Sequence, residues 1–160
     1  MKKIKSLFKR DYQGNRQVIN EVVEGSEWVQ QGKGVATRKY DGTACMIKDG
    51  EIYKRFDAKK GRTIPDGAIP CQEADPISGH HPHWVKCDRD SPQDKYIIEA
   101  FDNYVTAPDG TYEAIGPKIN GNKESIDYHI ITKHGTNRLG NVPTDYEGLK
   151  HYLSICAIEG

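Results

Sequence analysis

Apolar residues recur at helical spacing in two parts of the chain. Residues 17–24 place their valines and isoleucine on one side of a helix, and Gly25 interrupts the pattern. Residues 146–155 have the same spacing, and Asp145 just before them favours a helix N-terminus because its charge suits the helix dipole. The pattern therefore predicts two helices, one near each end of the chain.

Between these helices the apolar period changes to two, which is the period of a half-buried strand. The pair Asp49-Gly50 lies between two such runs and is a strong signal for a tight hairpin turn. Strands are predicted over residues 35–39, 43–47, 52–56, 95–101, 111–115 and 126–132. Together they indicate an antiparallel meander.

The stretch from residue 61 to residue 94 has a different character. It contains five of the eight prolines and many polar residues. A proline fixes φ and removes a backbone donor, so repeated prolines favour loop structure. We predict a long ordered loop or insertion at 61–94, inside a single α+β domain that covers residues 1–160 and is mainly antiparallel sheet.

The composition narrows the class of protein. The 160 residues include 23 basic and 23 acidic ones, so the net charge is zero and any nucleic-acid surface would be a local patch. No apolar run approaches the ~18 residues of a membrane span, and the basic N-terminus lacks the apolar stretch of a secretory signal. The prediction is a cytoplasmic protein without a membrane partner, whose four cysteines are free thiols.

The tetrapeptide Lys39-Tyr40-Asp41-Gly42 places a lysine at the end of a predicted strand, just before a tight turn. Asp-Gly often makes such turns, so a plain hairpin with a solvated Lys39 would explain the tetrapeptide by itself. Other pieces follow it in order, however. They are Arg55, the run TYEAIG around Glu113, and the pair Glu159-Gly160.

In this order, the pieces resemble the motifs of the covalent nucleotidyltransferase superfamily, which includes ATP-dependent ligases and capping enzymes. K-x-D-G is the first motif of that superfamily, and Glu159-Gly160 resembles the start of its E-G-x-V motif. Residues 36–43 (ATRKYDGT), 79–84 (GHHPHW) and 113–122 (EAIGPKINGN) look like one branch, a family of small RNA ligases found in bacteria, phages and animals. The resemblance runs from about Arg10 to the last residue.

The resemblance implies a fold and a reaction. The fold would be the antiparallel, ATP-grasp-like nucleotidyltransferase domain of ATP-dependent ligases. Lys39 would take AMP from ATP and pass it to an RNA 5′-phosphate, and a 3′-hydroxyl would then displace AMP to seal the strand. ATP and Mg²⁺ are therefore the expected cofactors, and RNA ends are the expected partners. A lysine attacks as the free amine, a form that nearby cations and partial burial favour, and Arg55 and Mg²⁺ are the candidate cations.

The resemblance also implies which residues form the site. The nucleotide-binding residues would be Arg38, Asp41, Gly42, Arg55, Glu113 and Glu159. Glu113 and Glu159 would also hold Mg²⁺, a hard cation that prefers oxygen ligands, and the fork of Arg55 suits phosphate oxygens. Asp41 and Gly42 would fix the turn that aims Lys39, since Gly42 tolerates a positive φ that other residues resist. The alternatives are a surface strand position for Glu113 and an exposed cross-strand ion pair for Arg55.

Two questions stay open at this point. The residue that stacks on adenine could be Tyr128, His129 or His134. The chain ends at Gly160, before the last lysine motif of the family, so we expect an incomplete domain. The chain would then be a fragment, part of a split gene or a natural truncation. A non-catalytic module that binds a nucleotide or an RNA end is an alternative function, and so is another nucleotidyltransferase of the capping or DNA-ligase type.

Overall fold

The computed structural model describes residues 5–58, 61–75, 79–104 and 106–156. The chain divides into two compact units. Among the described residues, the first unit runs from Tyr40 to His134. The second unit is discontinuous, because it combines the chain up to Lys39 with the chain from Gly135 onward.

The secondary structure is mixed. In chain order the elements are β1 (Phe8–Arg10), β2 (Val18–Val22), α1 (Glu27–Gln30), β3 (Thr43–Lys48), β4 (Glu51–Ala58), β5 (Ile69–Pro70), β6 (His81–Lys86), α2 (Lys95–Asp102), β7 (Gly110–Ile115), β8 (Ile130–Lys133) and α3 (Tyr146–Cys156). A short left-handed turn, Asn120–Asn122, lies between β7 and β8.

A six-stranded sheet forms the framework of the first unit. Its strands follow the order β5-β6-β4-β3-β7-β8, and every neighbouring pair is antiparallel. The predicted α+β class with mainly antiparallel sheet is therefore confirmed. Strand β3 lies inside the sheet, between β4 and β7, so it carries pairings on both edges.

One face of this sheet packs against α2. Alternate residues of the central strands, such as Cys45, Ile47 and Tyr112, are buried on this face, as period-two patterning requires. Helix α2 contributes Ile97 and Ile98 to the same cluster. The core of the first unit therefore lies between α2 and one face of the sheet.

The hairpin between β3 and β4 is as predicted. Asp49 and Gly50 both have positive φ, 53° and 75°, as a two-residue hairpin turn of type I′ requires. The N–H of Asp49 also donates to Oδ1 of Asp109 at 3.1 Å, which ties the turn to the loop before β7.

Several predicted elements are wrong, and the predicted strand 126–132 is present only as β8, from Ile130 to Lys133. Residues 95–101 form a helix, because Ile97, Ile98 and Phe101 recur at helical spacing on the side that meets the sheet. Residues 17–24 contain strand β2 instead of a helix. The stretch 61–94 is only partly loop, since it includes β5 and the six-residue β6 that pairs along β4. For β2 and β6, pairing with distant strands outweighed the local pattern of the sequence.

In the second unit, β1 and β2 form a two-stranded antiparallel sheet. The ring of Phe8 meets Tyr146 of α3 edge-on, with 5.2 Å between centroids. The hydroxyl of Tyr146 donates to the carbonyl oxygen of Val18 at 2.8 Å. Helix α3, which matches the predicted helix near the C-terminus, is therefore fixed against both strands of this small sheet.

All four cysteines are free, as predicted. Burial raises the pKa of Cys87 to about 12 and raises that of Cys45 beyond the ordinary range, so both thiols stay protonated near neutral pH. Among the described residues, no helix is both long and apolar enough to cross a membrane.

Candidate functional site

Asp41 and Gly42 lead directly into β3, at the point where that strand begins to pair with β7. Thr43 lies opposite Ala114 in this pairing. The N–H of Gly42 donates to Oε1 of Glu113 at 3.1 Å. Two pieces of the predicted motif set, separated by 71 residues in the sequence, are thus in direct contact.

Gly42 is required here for space and not for a special backbone angle. A Cβ at this position would lie 2.0 Å from the carbonyl oxygen of Ala114 and 2.6 Å from Cγ2 of Ile115. Gly42 does not use its tolerance of positive φ, because it is not among the glycines with left-handed backbone. The close approach of β7 explains the glycine, because it leaves no room for a side chain.

Gly42→Ala is expected to destabilise the protein by about 1–3 kcal/mol, since the added methyl group forces backbone atoms of β7 to move. The free energy of unfolding by urea measures the effect. Gly140→Ala is a matched control, because a Cβ at Gly140 meets no heavy atom within 4 Å. Equal stabilities for the two variants would contradict the packing argument.

Glu113 has both carboxylate oxygens in hydrogen bonds within the protein. Oε1 accepts from Gly42, and Oε2 lies 3.0 Å from Nε2 of His134. The side chain of Glu113 is only 13 % exposed. Nδ1 of His134 is buried and has no hydrogen-bond partner in the described part of the chain. A buried polar atom of this kind normally has a partner, such as a water molecule or a ligand group.

Arg55 and Glu113 lie on the same face of the sheet. Cys45 of β3 is opposite Lys54 of β4, whereas its neighbour Ala44 is opposite Glu113 of β7. Opposite residues share a face and successive residues alternate, so Arg55 points to the Ala44 side. The backbones of Arg55 and Glu113 are separated by two strand spacings, roughly 10 Å. This is the face opposite the one that α2 covers.

Arg55 also has a partner on its own strand. Its Nε donates to Oδ1 of Asp57 at 2.9 Å, and its side chain is 20 % exposed. The ion pair runs along β4, so it differs from the cross-strand pair considered for this arginine. Any phosphate bound by Arg55 would share the guanidinium with Asp57 or displace it.

The other predicted site residues lie elsewhere in the chain. Lys39 and Arg38 belong to the second unit, where the N–H of Arg38 donates to the carbonyl oxygen of Asn137 at 2.8 Å. The side chain of Lys39 is exposed and that of Arg38 is half-buried. The predicted strand 35–39 is present only as a single bridge between Thr37 and Arg138. Glu159 lies outside the described residues.

The three candidates for adenine stacking occupy different environments. His129 is buried and stacks on Tyr96, its Nε2 accepts from the N–H of Lys118, and its Nδ1 lies 2.9 Å from Glu99. Tyr128 is 61 % exposed. His134 lies against Glu113 and is therefore the candidate nearest to the predicted nucleotide-binding residues of the first unit.

The predicted magnesium ligands are Glu113 and Glu159. Among the described residues, no three side chains of the histidine, cysteine, aspartate or glutamate type come together as a metal site. Of the two predicted ligands, the described part of the chain contains Glu113, and its carboxylate already has two protein partners.

A surface depression of about 470 Å³ lies where β4 begins, at Glu51 and Ile52. Glu51, Lys86 and Arg89 are among the residues that line it, and none of the predicted site residues does. Its charges already form exposed pairs, such as Lys86 with Glu51 at 3.1 Å. Such pairs contribute little to stability or binding, so the depression does not mark a second candidate site.

Two residues that contact Asp41 were not predicted as site residues. Oε1 of Glu124 accepts from the N–H of Asp41 at 2.8 Å, and Nδ2 of Asn120 donates to Oδ1 of Asp41 at 2.7 Å. Asn120 lies inside the stretch 113–122 that resembles the RNA ligases, so the sequence could have indicated Asn120 as a site residue. Nothing in the local sequence distinguishes Glu124.

Models of known protein families and curated proteins were both compared with the chain, and neither comparison found a match. The functional assignment therefore depends on the residues and on the geometry described above.

Proposed function

We propose that this protein is an ATP-dependent RNA ligase that uses Lys39 as its nucleophile. The observation that carries the proposal is the hydrogen bond from Gly42 to Glu113. It joins the K-x-D-G motif to the glutamate motif, and chance matches to two short motifs give no reason for such a contact. The position of Arg55 on the same sheet face as Glu113 further supports it.

The proposed reaction has three transfers. The free amine of Lys39 attacks the α-phosphorus of ATP, a P–N bond forms, the bond to the β-phosphate oxygen breaks, and pyrophosphate leaves while the amine proton passes to solvent. An RNA 5′-phosphate oxygen then attacks the same phosphorus, and Lys39 leaves and regains a proton. Finally a 3′-hydroxyl attacks the RNA 5′-phosphorus and gives its proton to solvent, AMP leaves, and a phosphodiester is formed.

The residues of the first unit have separate roles in this proposal. Glu113 holds Gly42 and faces the ribose hydroxyls as an acceptor. Arg55 binds phosphate or ribose oxygens from β4, which lies two strands away from β7, as the fork of a guanidinium allows. Mg²⁺ would enter with the phosphates of ATP and neutralise their charge, because it commonly binds substrate phosphates together with one or two carboxylates. Arg38 and Glu159 complete the proposed nucleotide-binding set.

The test is the intact mass of the protein after incubation with ATP and Mg²⁺. We expect a gain of one AMP, roughly 330 Da for a covalent lysine adduct, and peptide mapping should locate it at Lys39. Incubation of the adduct with 5′-phosphorylated RNA or DNA, each with a 3′-hydroxyl, then separates an RNA ligase from a DNA ligase. Absence of any adduct in the full-length protein would sink the proposal.

A non-catalytic nucleotide-binding module is the second candidate. The engagement of both Glu113 oxygens, and of Arg55 with Asp57, favours it, because these groups are already satisfied without a ligand. Binding of ATP without an adduct, measured by calorimetry beside the mass experiment, would select this candidate.

A further inference from the structure

The segment Asp41–Gly42 is held by one side chain of β7 and by two side chains of the loop that follows β7. The N–H groups of both residues donate to carboxylates: Asp41 to Glu124 at 2.8 Å and Gly42 to Glu113 at 3.1 Å. Asn120 adds a bond to the carboxylate of Asp41 at 2.7 Å and a longer contact of 3.5 Å to its carbonyl oxygen. Hydrogen bonds with a charged partner are the stronger class.

The part of the chain that carries Asn120 and Glu124 is itself fixed. Ile119 is buried in the core next to α2. The N–H of Asn122 donates to the carbonyl oxygen of Ile119 at 2.9 Å, and Oδ1 of Asn122 accepts from the N–H of Ile126 at 3.1 Å. A loop anchored at one end in the core and closed by its own hydrogen bonds can hold its side chains at fixed positions.

The backbone of this loop adopts a conformation that needs support. Asn120, Gly121 and Asn122 have φ values of 45°, 68° and 54°, so three successive residues are left-handed. Left-handed backbone is unfavourable for the two asparagines, so neighbouring contacts must offset its conformational cost. The contact of Asn120 with Asp41 is one of these offsetting contacts.

We propose that Asn120 and Glu124 are positioning residues for the nucleophile, a role that rests on the proposed function. Asp41 lies two residues after Lys39 in the chain. Fixing the amide, the carboxylate and the carbonyl of Asp41 restricts the backbone from which Lys39 extends. Neither Asn120 nor Glu124 touches the reacting atoms in this scheme, and both act through Asp41.

The experiment uses three substitutions and one control in the full chain. Asn120→Gly removes the donor and keeps a residue that tolerates left-handed backbone. Glu124→Ala removes the acceptor, whereas Glu124→Gln keeps an amide oxygen that can still accept. Asn141→Gly is the control, because Asn141 is another exposed asparagine with left-handed backbone, at φ 54°.

Two measurements separate positioning from a general structural role. Amide exchange of Asp41, followed by NMR without ATP, should accelerate roughly 10- to 100-fold in Glu124→Ala, because a bond to a charged group is lost, and should stay near the wild-type rate in Glu124→Gln. The rate of AMP uptake at saturating ATP should fall in Asn120→Gly and Glu124→Ala. The ATP concentration for half-maximal rate should stay unchanged in both variants.

The outcomes distinguish a failure of the proposed function from a failure of the positioning role. Wild-type protein that forms no AMP adduct overturns the proposed function and this role with it. Wild-type protein that forms the adduct, with Asn120→Gly and Glu124→Ala equally fast, leaves the ligase proposal intact and overturns the positioning role. Unchanged exchange of the Asp41 amide in Glu124→Ala also overturns the positioning role, whatever the uptake rates are.

Discussion

Lys39→Ala is expected to remove all uptake of AMP from ATP, and Lys39→Arg is expected to do the same. The first variant deletes the amine. The second keeps a positive charge at the same place, but a guanidinium stays protonated in proteins and has no free electron pair for attack. Equal loss in both variants would therefore assign a nucleophilic role to Lys39, because a merely electrostatic role would survive in Lys39→Arg.

The measurement for these variants is intact mass after incubation with ATP and Mg²⁺, supported by a filter assay with ATP labelled at the α-phosphate. Lys33→Ala is a suitable control, because Lys33 is an exposed lysine that also precedes the K-x-D-G motif. We expect the control to take up AMP at the wild-type rate. Uptake that persists in Lys39→Arg would show that another residue is the nucleophile.

Asp94→Ala is expected to destabilise the protein by about 1.5–3 kcal/mol, the usual range for a hydrogen bond with a charged partner. Asp94 is 1 % exposed and lies just before α2. Its Oδ1 accepts from the ammonium of Lys54, and its Oδ2 accepts from the N–H of Asp88 at 3.0 Å. The substitution would leave the Lys54 ammonium, whose side chain is 26 % exposed, without this carboxylate.

Asp102→Ala is the matched control for Asp94→Ala. Asp102 is the last residue of the same helix, and its carboxylate pairs with Arg89 at 2.8 Å on an exposed surface. The Arg89 guanidinium lowers the pKa of Asp102, but solvent screens the pair, so we expect a much smaller change. Urea denaturation measures both free energies of unfolding. Similar values for the two variants would refute the claim that Asp94 anchors the helix to β4.

The sequence predicts well those elements whose signals are local. Asp49-Gly50 specifies its turn through two residues that tolerate positive φ, and the flanking strands follow from alternation. Residues 146–156 form a helix that is long enough for its period to be visible. Short apolar runs carry no such signal, which is why the isoleucines at 97 and 98 suggested a strand where the structure has a helix.

The motifs predicted some residues of the candidate site, but not all of the contacts that hold them. The motif pattern predicted Asp41, Gly42 and Glu113 as members of one site, and the structure brings these residues together. It could not predict the bond from Asp41 to Glu124, because that contact joins residues 83 apart and depends on how the loop after β7 folds. It also could not predict why a glycine is needed at position 42, since the close approach of β7 is visible only once the strands are paired. The roles of Lys39 and Arg55 stay predictions.

The discontinuous second unit has a consequence for synthesis of the chain. Everything in the first unit has been translated once His134 has left the ribosome, so that unit can fold as a continuous stretch. Strands β1 and β2, by contrast, meet α3 only after more than a hundred further residues, a wait on the order of ten seconds at ~5–20 residues per second. During that interval the ring of Phe8 lacks Tyr146, its partner in the finished protein. The two-stranded sheet of β1 and β2 is therefore exposed to chaperones and to wrong partners while the rest of the chain is made.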